Sequence, residues 1–156
     1  MPIERIISGG QTGADLGGLL AAERLGMKTG GVAAAGFRTE KGKQPILGKR
    51  FGLSEHSSWQ YPPRTEENVR LSCVTLIFSA NATSRGTQMT IDFTVKHKKE
   101  YLLVDVNAPN VELIIDFIHS HAPTIINIAG NRESVSPGVT RKTRDILYNA
   151  LSKVIK

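Results

Sequence analysis

Three segments of this chain combine glycines with hydroxyl, amide or basic side chains in a way that suits the binding of an anion. They are Ser8-Gly9-Gly10-Gln11-Thr12-Gly13, the segment from Ser79 to Thr87, and the segment from Gly130 to Gly138. Glycines let a ligand approach the backbone closely, and the amides at the start of a helix attract negative charge. One such turn alone would most often be structural, but three similar loops together favour a ligand with a phosphate-type group.

Each segment follows a predicted buried strand and leads into a predicted helix. Apolar runs predict five strands, at residues 3–7, 28–33, 73–78, 101–106 and 124–129. Apolar residues at helical spacing predict helices at residues 14–25, 65–70, 87–97, 111–118 and 136–154. This alternation predicts an α/β protein whose parallel sheet is covered by helices on both faces. The loops then share one edge of the sheet, where we expect the first and third strands to be neighbours.

The charge of the chain favours an anionic partner. It has 20 Lys and Arg residues against 14 Asp and Glu residues, a formal net charge of +6. A nucleic acid is a weaker candidate, because no basic motif is interleaved with aromatic residues. We therefore expect an anionic, phosphorylated small molecule as the partner.

Length and composition indicate one soluble domain over residues 1–156. No apolar run approaches the ~20 residues of a membrane span, and the first residues lack a secretory signal pattern. The single cysteine, Cys73, is predicted to be buried and to fit a reducing compartment. These features predict a cytoplasmic protein, in the cytosol or an organelle stroma, without membrane contact.

The segment from Ala34 to Pro63 is predicted to be irregular and is long for a chain of this size. Such a loop is usually a lid or a binding segment, so we expect it to form part of the ligand-binding wall. Its basic residues Arg38 and Lys43 would neutralise the outer charge of the ligand. The alternative is a structural cover or a subunit interface, because exposed aromatic residues often mark contacts between chains.

No residue set stands out as a metal site or as an activated nucleophile. The four histidines are scattered along the chain and are predicted to lie on the surface. Asp92 and Glu133 are the carboxylates nearest to the predicted site, and they are the catalytic candidates if the protein is a hydrolase. Asp15, just inside the first helix, would accept a hydrogen bond from the ligand or favour the helix dipole.

Four stretches resemble the signature of the molybdenum cofactor carrier proteins. They are Ser8 to Asp15, Arg64 to Arg70, Gly86-Thr87, and Asn127 to Ser134 followed by Pro137-Gly138. The resemblance implies a Rossmann-like three-layer αβα fold with a mostly parallel sheet of five to six strands. It also implies a homo-oligomer, a dimer or tetramer, that binds the molybdenum cofactor (molybdopterin) or a related phosphorylated ligand.

The chain departs from its relatives at two places. The carrier family is related in fold to the lysine-decarboxylase-like proteins, which include cytokinin nucleotide phosphoribohydrolases. Those enzymes have a Glu in the helical turn after a Gly-Thr pair, and this chain has Thr90 at that position. The carrier pattern has Trp-Cys-Pro after a pair of glycines, and this chain has Val32-Ala33-Ala34 there. Thr90 argues against phosphoribohydrolase activity, so a binding or carrier role is favoured over an enzyme. The loss of Trp-Cys-Pro could change the choice of ligand while the phosphate-binding loops are kept. A hydrolase or transferase acting on a nucleotide or phosphoribosyl compound is the alternative.

The predicted binding residues come from all of these stretches. The amides of residues 9–13 would hold a phosphate, Thr87 would add an anion contact at the start of its helix, and Arg64 and Arg132 would be charge partners. The full set of predicted ligand-binding residues is Gly9, Gly10, Gln11, Thr12, Gly13, Asp15, Arg64, Asn68, Gly86, Thr87, Gly130, Arg132, Glu133 and Ser134.

Overall fold

A sheet of five parallel strands lies at the centre of the computed structural model, which describes residues 3–155. The strands are β1 (Arg5–Ser8), β2 (Lys28–Gly30), β3 (Val74–Ser79), β4 (Glu100–Asp105) and β5 (Ile125–Gly130). Their lateral order is β2-β1-β5-β3-β4, and every neighbouring pair is parallel. The predicted α/β fold with a parallel sheet is confirmed.

Helices cover both faces of this sheet. The helices of residues 3–155 are α1 (Ala14–Arg24), α2 (Ile46–Phe51), α3 (Tyr61–Leu71), α4 (Arg85–Lys96), α5 (Val111–His121) and α6 (Val139–Val154), of which α2 packs on α1 rather than on the sheet. α1, α5 and α6 pack together on one face, and α3 packs beside α4 on the other. This is the Rossmann-like three-layer arrangement that the resemblance implies. By length and apolar character, no helix within residues 3–155 could span a bilayer.

The main core lies between the sheet and the layer of α1, α5 and α6. All six residues of β3 are buried, which explains its continuous apolar run. Two glycines bring α1 unusually close to its neighbours: a Cβ at Gly18 would lie 2.7 Å from the Ile128 side chain, and one at Gly17 would lie 2.5 Å from the Thr140 carbonyl oxygen. This close packing draws the loop before α1 towards the start of α6.

The prediction that the first and third strands are neighbours is wrong, because β5 lies between β1 and β3 and pairs with both. Apolar patterns indicate which segments are strands but carry no information about lateral order. The three glycine-containing loops still emerge side by side, from β1, β5 and β3. α6 follows β5 on one face, and α4 follows β3 on the other. Such a reversal leaves a crevice outside the carboxyl ends of the two strands.

The segment between residues 34 and 63 is more regular than predicted. It contains a 3₁₀ turn (Ala35–Phe37), an antiparallel pair (Arg38–Thr39 with Gly42–Lys43) and α2. A small second core attaches it to α1 and is formed by Leu19, Ala33, Leu47, Phe51 and Leu53. α3 then begins at Tyr61 rather than Thr65, because prolines fit the first turn of a helix, where no backbone N–H is required.

Cys73 is exposed, so the prediction that it is buried is wrong. It stands one residue before β3, and the buried part of the strand begins at Val74. The thiol sulfur lies 3.5 Å from the Thr124 hydroxyl oxygen. The apolar run in the sequence therefore extends one residue beyond the buried strand, at the amino edge of the sheet and away from the glycine loops.

Candidate functional site

The first and third loops touch each other at Gly13. This residue has a φ of 86°, and a Cβ there would lie 2.2 Å from the Asn131 carbonyl oxygen. The backbone N–H of Ala14 donates to that same oxygen at 3.0 Å. Only glycine permits so close an approach in this conformation. The contact fixes the loop before α1 against the residues that follow β5.

The side chain of Asn131 joins the third loop to the second. Its Oδ1 accepts hydrogen bonds from Ser79 Oγ at 3.0 Å and from the Ala80 N–H at 2.8 Å. Its Nδ2 donates to Ser84 Oγ at 3.1 Å and to Thr87 Oγ1 at 3.3 Å. All of its polar atoms are therefore used to hold the two loops together, which places Arg132 beside the start of α4.

A cavity of about 220 Å³ lies in the crevice between the carboxyl ends of β5 and β3. Gly130 and Arg132 line it from the β5 side, Arg85 and Gly86 line it from the N-terminus of α4, and Gln11 lines it from the first loop. The N-terminus of a helix favours a negatively charged group. We call this cavity the switch-point pocket.

Three arginines surround one aromatic ring at the mouth of this pocket. The guanidinium carbons of Arg38, Arg64 and Arg132 lie 4.2, 5.3 and 5.5 Å from the centre of the Tyr61 ring. The face of a tyrosine attracts a cation, which offsets part of the repulsion between the three charges. Arg38 is held further by a 2.9 Å hydrogen bond from its Nε to the Trp59 carbonyl oxygen. The cluster is a concentration of positive charge beside a cavity.

A buried carboxylate balances one of these charges. Asp15 is 5% exposed and Arg64 is 9% exposed, and Arg64 Nη1 lies 3.6 Å from Asp15 Oδ2. Burial raises the pKa of Asp15, and the charge of Arg64 and backbone N–H groups offset part of this rise. Burial also lowers the pKa of Arg64, but a guanidinium stays protonated in proteins. The guanidinium packs against Gly9, where a Cβ would lie 2.2 Å from Nη1.

Gln11 is 6% exposed and is held in one orientation. Its Oε1 accepts hydrogen bonds from the Thr12 N–H at 3.0 Å and from the Glu40 N–H at 2.9 Å. Its Nε2 is buried and finds no acceptor among residues 3–155. A buried donor without a partner costs stability, so a ligand oxygen that reaches it would be favourable.

The backbone amides of the first loop are already engaged by the protein. The N–H groups of residues 10–13 donate at 3.0–3.3 Å to the side-chain oxygens Ser8 Oγ, Asp15 Oδ2, Gln11 Oε1 and Thr140 Oγ1. The first loop therefore reaches the pocket through the side chain of Gln11, and α1 reaches it through the side chain of Asp15, rather than through free backbone amides.

Glu40 connects the segment between residues 34 and 63 to two of the loops. Its carboxylate accepts hydrogen bonds from Thr12 Oγ1, from Ser134 Oγ, and from the Ser134 N–H at 3.2 Å. Burial alone would raise the pKa of Glu40, but the hydrogen bonds from Ser134 and Thr12 lower it below its ordinary value. We call this arrangement the Glu40 clasp. Glu40 is not among the residues predicted from the sequence, because Ser134, its main partner, lies 94 residues away in the chain.

The remaining predicted residues have other positions. Asn68 holds the backbone of Val32, whose N–H donates to its Oδ1 at 2.9 Å and whose carbonyl accepts from its Nδ2 at 2.9 Å. Glu133 accepts from the N–H groups of Gly138 and Thr140, at the start of α6. Asp92 is exposed on α4. These three side chains are not part of the pocket lining.

Thr87 is also withdrawn from the pocket. It is completely buried, and its hydroxyl oxygen accepts from Ser84 Oγ at 2.9 Å as well as from Asn131. Within residues 3–155, no group of three or more His, Cys, Asp and Glu side chains is arranged to hold a metal ion.

The family of the chain follows from its sequence as a whole. The circularly permutated YpsA SLOG family matches residues 6–151. The chain belongs to this family. The strand order of this cpYpsA protein agrees with a circular permutation. If β5 is counted as the first strand and β1 to β4 follow it, the lateral order β2-β1-β5-β3-β4 becomes 3-2-1-4-5, which is the usual doubly wound order.

A solved structure agrees with this assignment. The crystal structure of a "Putative molybdenum carrier protein" from Syntrophus aciditrophicus SB superposes on the cpYpsA protein with a TM-score of 0.85, and the two sequences are 34% identical. The match covers 98% of this chain and 94% of that chain. No curated protein matches the chain. The resemblance seen in the sequence is confirmed for the family and for the fold.

Proposed function

We propose that the cpYpsA protein binds and carries an anionic phosphorylated small molecule in the switch-point pocket, with the molybdenum cofactor as the leading ligand. The observation that carries this proposal is the group of Arg38, Arg64 and Arg132 around Tyr61. Asp15 balances one of the three charges, which leaves an excess of positive charge beside a cavity. A bound anion relieves the repulsion within such a cluster.

The phosphate is expected between Arg132 and the N-terminus of α4. The first N–H groups of a helix have no partner within the helix, and Arg85 and Gly86 at the start of α4 line the pocket. Arg132 supplies a charge-assisted hydrogen bond, and Gln11 Nε2 gains the acceptor that it lacks. In this arrangement the first turn of α4 and the side chains of Arg132 and Gln11 hold the ligand. They replace the groups predicted from the sequence, the amides of the first loop and the Thr87 hydroxyl.

The size of the pocket favours a ligand with a compact anionic end and a larger body. Sites for drug-sized ligands occupy about 300–1,000 Å³, and this cavity measures about 220 Å³. The phosphate-bearing end would therefore enter the pocket while the body lies outside it, towards Tyr61 and Arg38. The molybdenum cofactor has this form, with a phosphate attached to a ring system. The name of the Syntrophus protein supports the same choice.

Equilibrium dialysis of the purified protein with the molybdenum cofactor, AMP and pyrophosphate tests the proposal. A charge-assisted hydrogen bond contributes about 1.5–3 kcal/mol, so Arg132→Ala should weaken binding about ten- to a hundredfold. Arg24→Ala is the matched control. The Arg24 guanidinium carbon also lies over a tyrosine, 4.8 Å from the centre of the Tyr148 ring, but neither residue lines the pocket.

Two results would change the conclusion. Unchanged affinity in Arg132→Ala would remove the switch-point pocket from the binding site. If AMP or pyrophosphate binds as tightly as the molybdenum cofactor, the pocket recognises phosphate alone, and the cofactor loses its place as the leading ligand.

One observation favours an enzyme as the second candidate. Asp15 is a buried carboxyl group in the pocket lining, and burial raises its pKa, as is common for groups that transfer protons in catalysis. A hydrolase or transferase acting on a nucleotide or phosphoribosyl compound would use Asp15 rather than Glu133 or Asp92. Release of free base from nucleoside monophosphates, lost in Asp15→Asn but kept in Glu133→Gln, would establish this activity. Absence of any release from the wild-type protein would exclude it.

We further propose that the protein is a homo-oligomer, a dimer or tetramer, joined through α4. The buried residues of this helix are Thr87, Thr90 and Thr94, whereas Val95 is 66% exposed. Met89, Ile91 and Phe93 of the same helix are only half-buried, and an apolar face that the protein itself leaves partly open is a candidate contact between chains. β4 beside it is an edge strand of the five-stranded sheet.

A cytoplasmic location completes the proposal. The only cysteine, Cys73, is exposed, and a lone exposed thiol is best preserved in a reducing compartment.

A further inference from the structure

We propose that a second ligand site lies between α2 and α6 and takes an amphipathic anion, an apolar ring or acyl body with one acidic group. A cavity of about 650 Å³ lies there, within the range of small-molecule sites. Gly10 and Thr12 of the first loop line it, whereas Gln11 between them lines the switch-point pocket. The loop therefore separates two cavities, and we call this larger one the α2–α6 pocket.

The floor of the α2–α6 pocket is apolar and well anchored. Leu47 and Phe51 of α2 are 4% and 2% exposed and belong to the small second core. Leu16 of α1 lines the cavity beside them, and Ile46 at the rim is 52% exposed. An apolar body of a ligand would cover Ile46 and leave the buried floor in place. Each apolar group removed from water in this way favours binding.

The rim carries positive charge that the protein leaves unpaired. Lys41 and Arg141 line the cavity, and within residues 3–155 neither side chain has a hydrogen bond or an ion pair. Arg50 and Arg144 also line it, but they are paired with Glu23 at 2.7 Å and Asp145 at 2.8 Å. Two free cations above an apolar floor suit a ligand that is apolar at one end and acidic at the other.

The carboxylate in this cavity does not oppose an acidic ligand as strongly as its charge suggests. Glu133 accepts hydrogen bonds from the Gly138 N–H at 2.6 Å, the Thr140 N–H at 3.0 Å and Thr140 Oγ1 at 2.7 Å. Burial alone would raise the pKa of Glu133, but these bonds and the charge of Lys41 lower it. Its charge is therefore already compensated by the start of α6, and Lys41 and Arg141 determine the sign of the rim.

Isothermal titration with naphthalene-1-sulfonate and its uncharged analogue 1-naphthylmethanol tests this site. The sulfonate should bind about tenfold or more tightly than the alcohol, and Lys41→Ala/Arg141→Ala should remove that preference. Arg24→Ala, a basic residue outside both linings, should leave it unchanged. Both substituted residues are exposed, so the melting temperature of the double variant should equal that of the wild type and confirm folding.

The outcomes are distinct. Equal binding of the two probes, or a sulfonate preference that survives in the double variant, would overturn the proposal. The proposal is also overturned if neither probe binds. Light scattering then shows whether a second copy of the chain occupies the pocket, because in that case the double variant changes the size of the assembly. Binding of the phosphorylated ligand through Arg132 is measured separately, so failure of one site leaves the other intact.

Discussion

Replacement of Glu40 by Gln tests how firmly the binding loops are held. The Glu40 carboxylate accepts two bonds from Ser134 and one from Thr12, and hydrogen bonds to a charged group contribute about 1.5–3 kcal/mol each. Glutamine keeps one acceptor oxygen, so some of these bonds survive, and solvent access at this partly open site reduces the value of the others. We therefore expect a loss of about 2 kcal/mol in the free energy of unfolding, less than the sum of the three bonds, or about 4–8 °C in melting temperature.

The assay is thermal and urea unfolding of the wild type and Glu40→Gln across a range of pH. Because the folded-state pKa of Glu40 is lowered, its stabilisation is complete above the ordinary glutamate pKa of about 4.3 and is lost as pH falls through the folded-state value. The two proteins should therefore converge in acid. Glu112→Gln is the matched control, since the Glu112 side chain is 75% exposed and lies 3.9 Å from Lys153, and it should change stability by less than about 0.5 kcal/mol. A loss in Glu40→Gln that equals the control, or that persists undiminished in acid, would refute the clasp.

Three further substitutions or reactions have clear expected outcomes. Gly130→Ala should unfold the protein or lower its melting temperature, measured by circular dichroism, by more than about 10 °C. The new Cβ would lie 1.8 Å from the Phe78 carbonyl oxygen, and the φ of Gly130 is 150°, which an alanine rarely adopts. Cys73 should react with Ellman's reagent in the native protein as fast as in urea, and strong protection would contradict its exposed position. Val95→Lys should lower the mass measured by light scattering, to that of one chain for a dimer and to that of two chains for a tetramer, and an unchanged mass would exclude α4 as the interface.

The elements of the fold were predictable where their signal is local. β3 is buried on both faces, so its sequence is a continuous apolar run, and its prediction is accurate to one residue. The start of α6 was predicted less well: Ser136 and Pro137 resemble a cap, but the structure places the cap at Gly138 with a φ of 90°. Glu133 supplies the acceptor for that helix start, a role that a capping pattern does not reveal.

The site was harder to predict because its contacts are not local. Ser134 and Glu40 are 94 residues apart in sequence, and nothing in either neighbourhood indicates their hydrogen bonds. Asn131 appears in the sequence only as part of a glycine-containing loop, although its side chain makes six hydrogen bonds, five of them to the segment from Ser79 to Thr87. Arg64 and Arg132 were singled out by charge, but the Tyr61 ring that gathers them could be recognised only in three dimensions.

The place of β5 has a consequence for how the chain assembles as it is made. Within residues 3–155, β5 alone joins two half-sheets, because β1 pairs with β2, β3 pairs with β4, and only β5 pairs with both halves. The ribosome produces β5 after the other four strands. Until it emerges, each half-sheet presents an edge of unpaired N–H and C=O groups that can pair with another chain. The two edges that β5 covers in the folded protein therefore stay open until the central strand arrives, and the third loop, which follows β5, completes the site last.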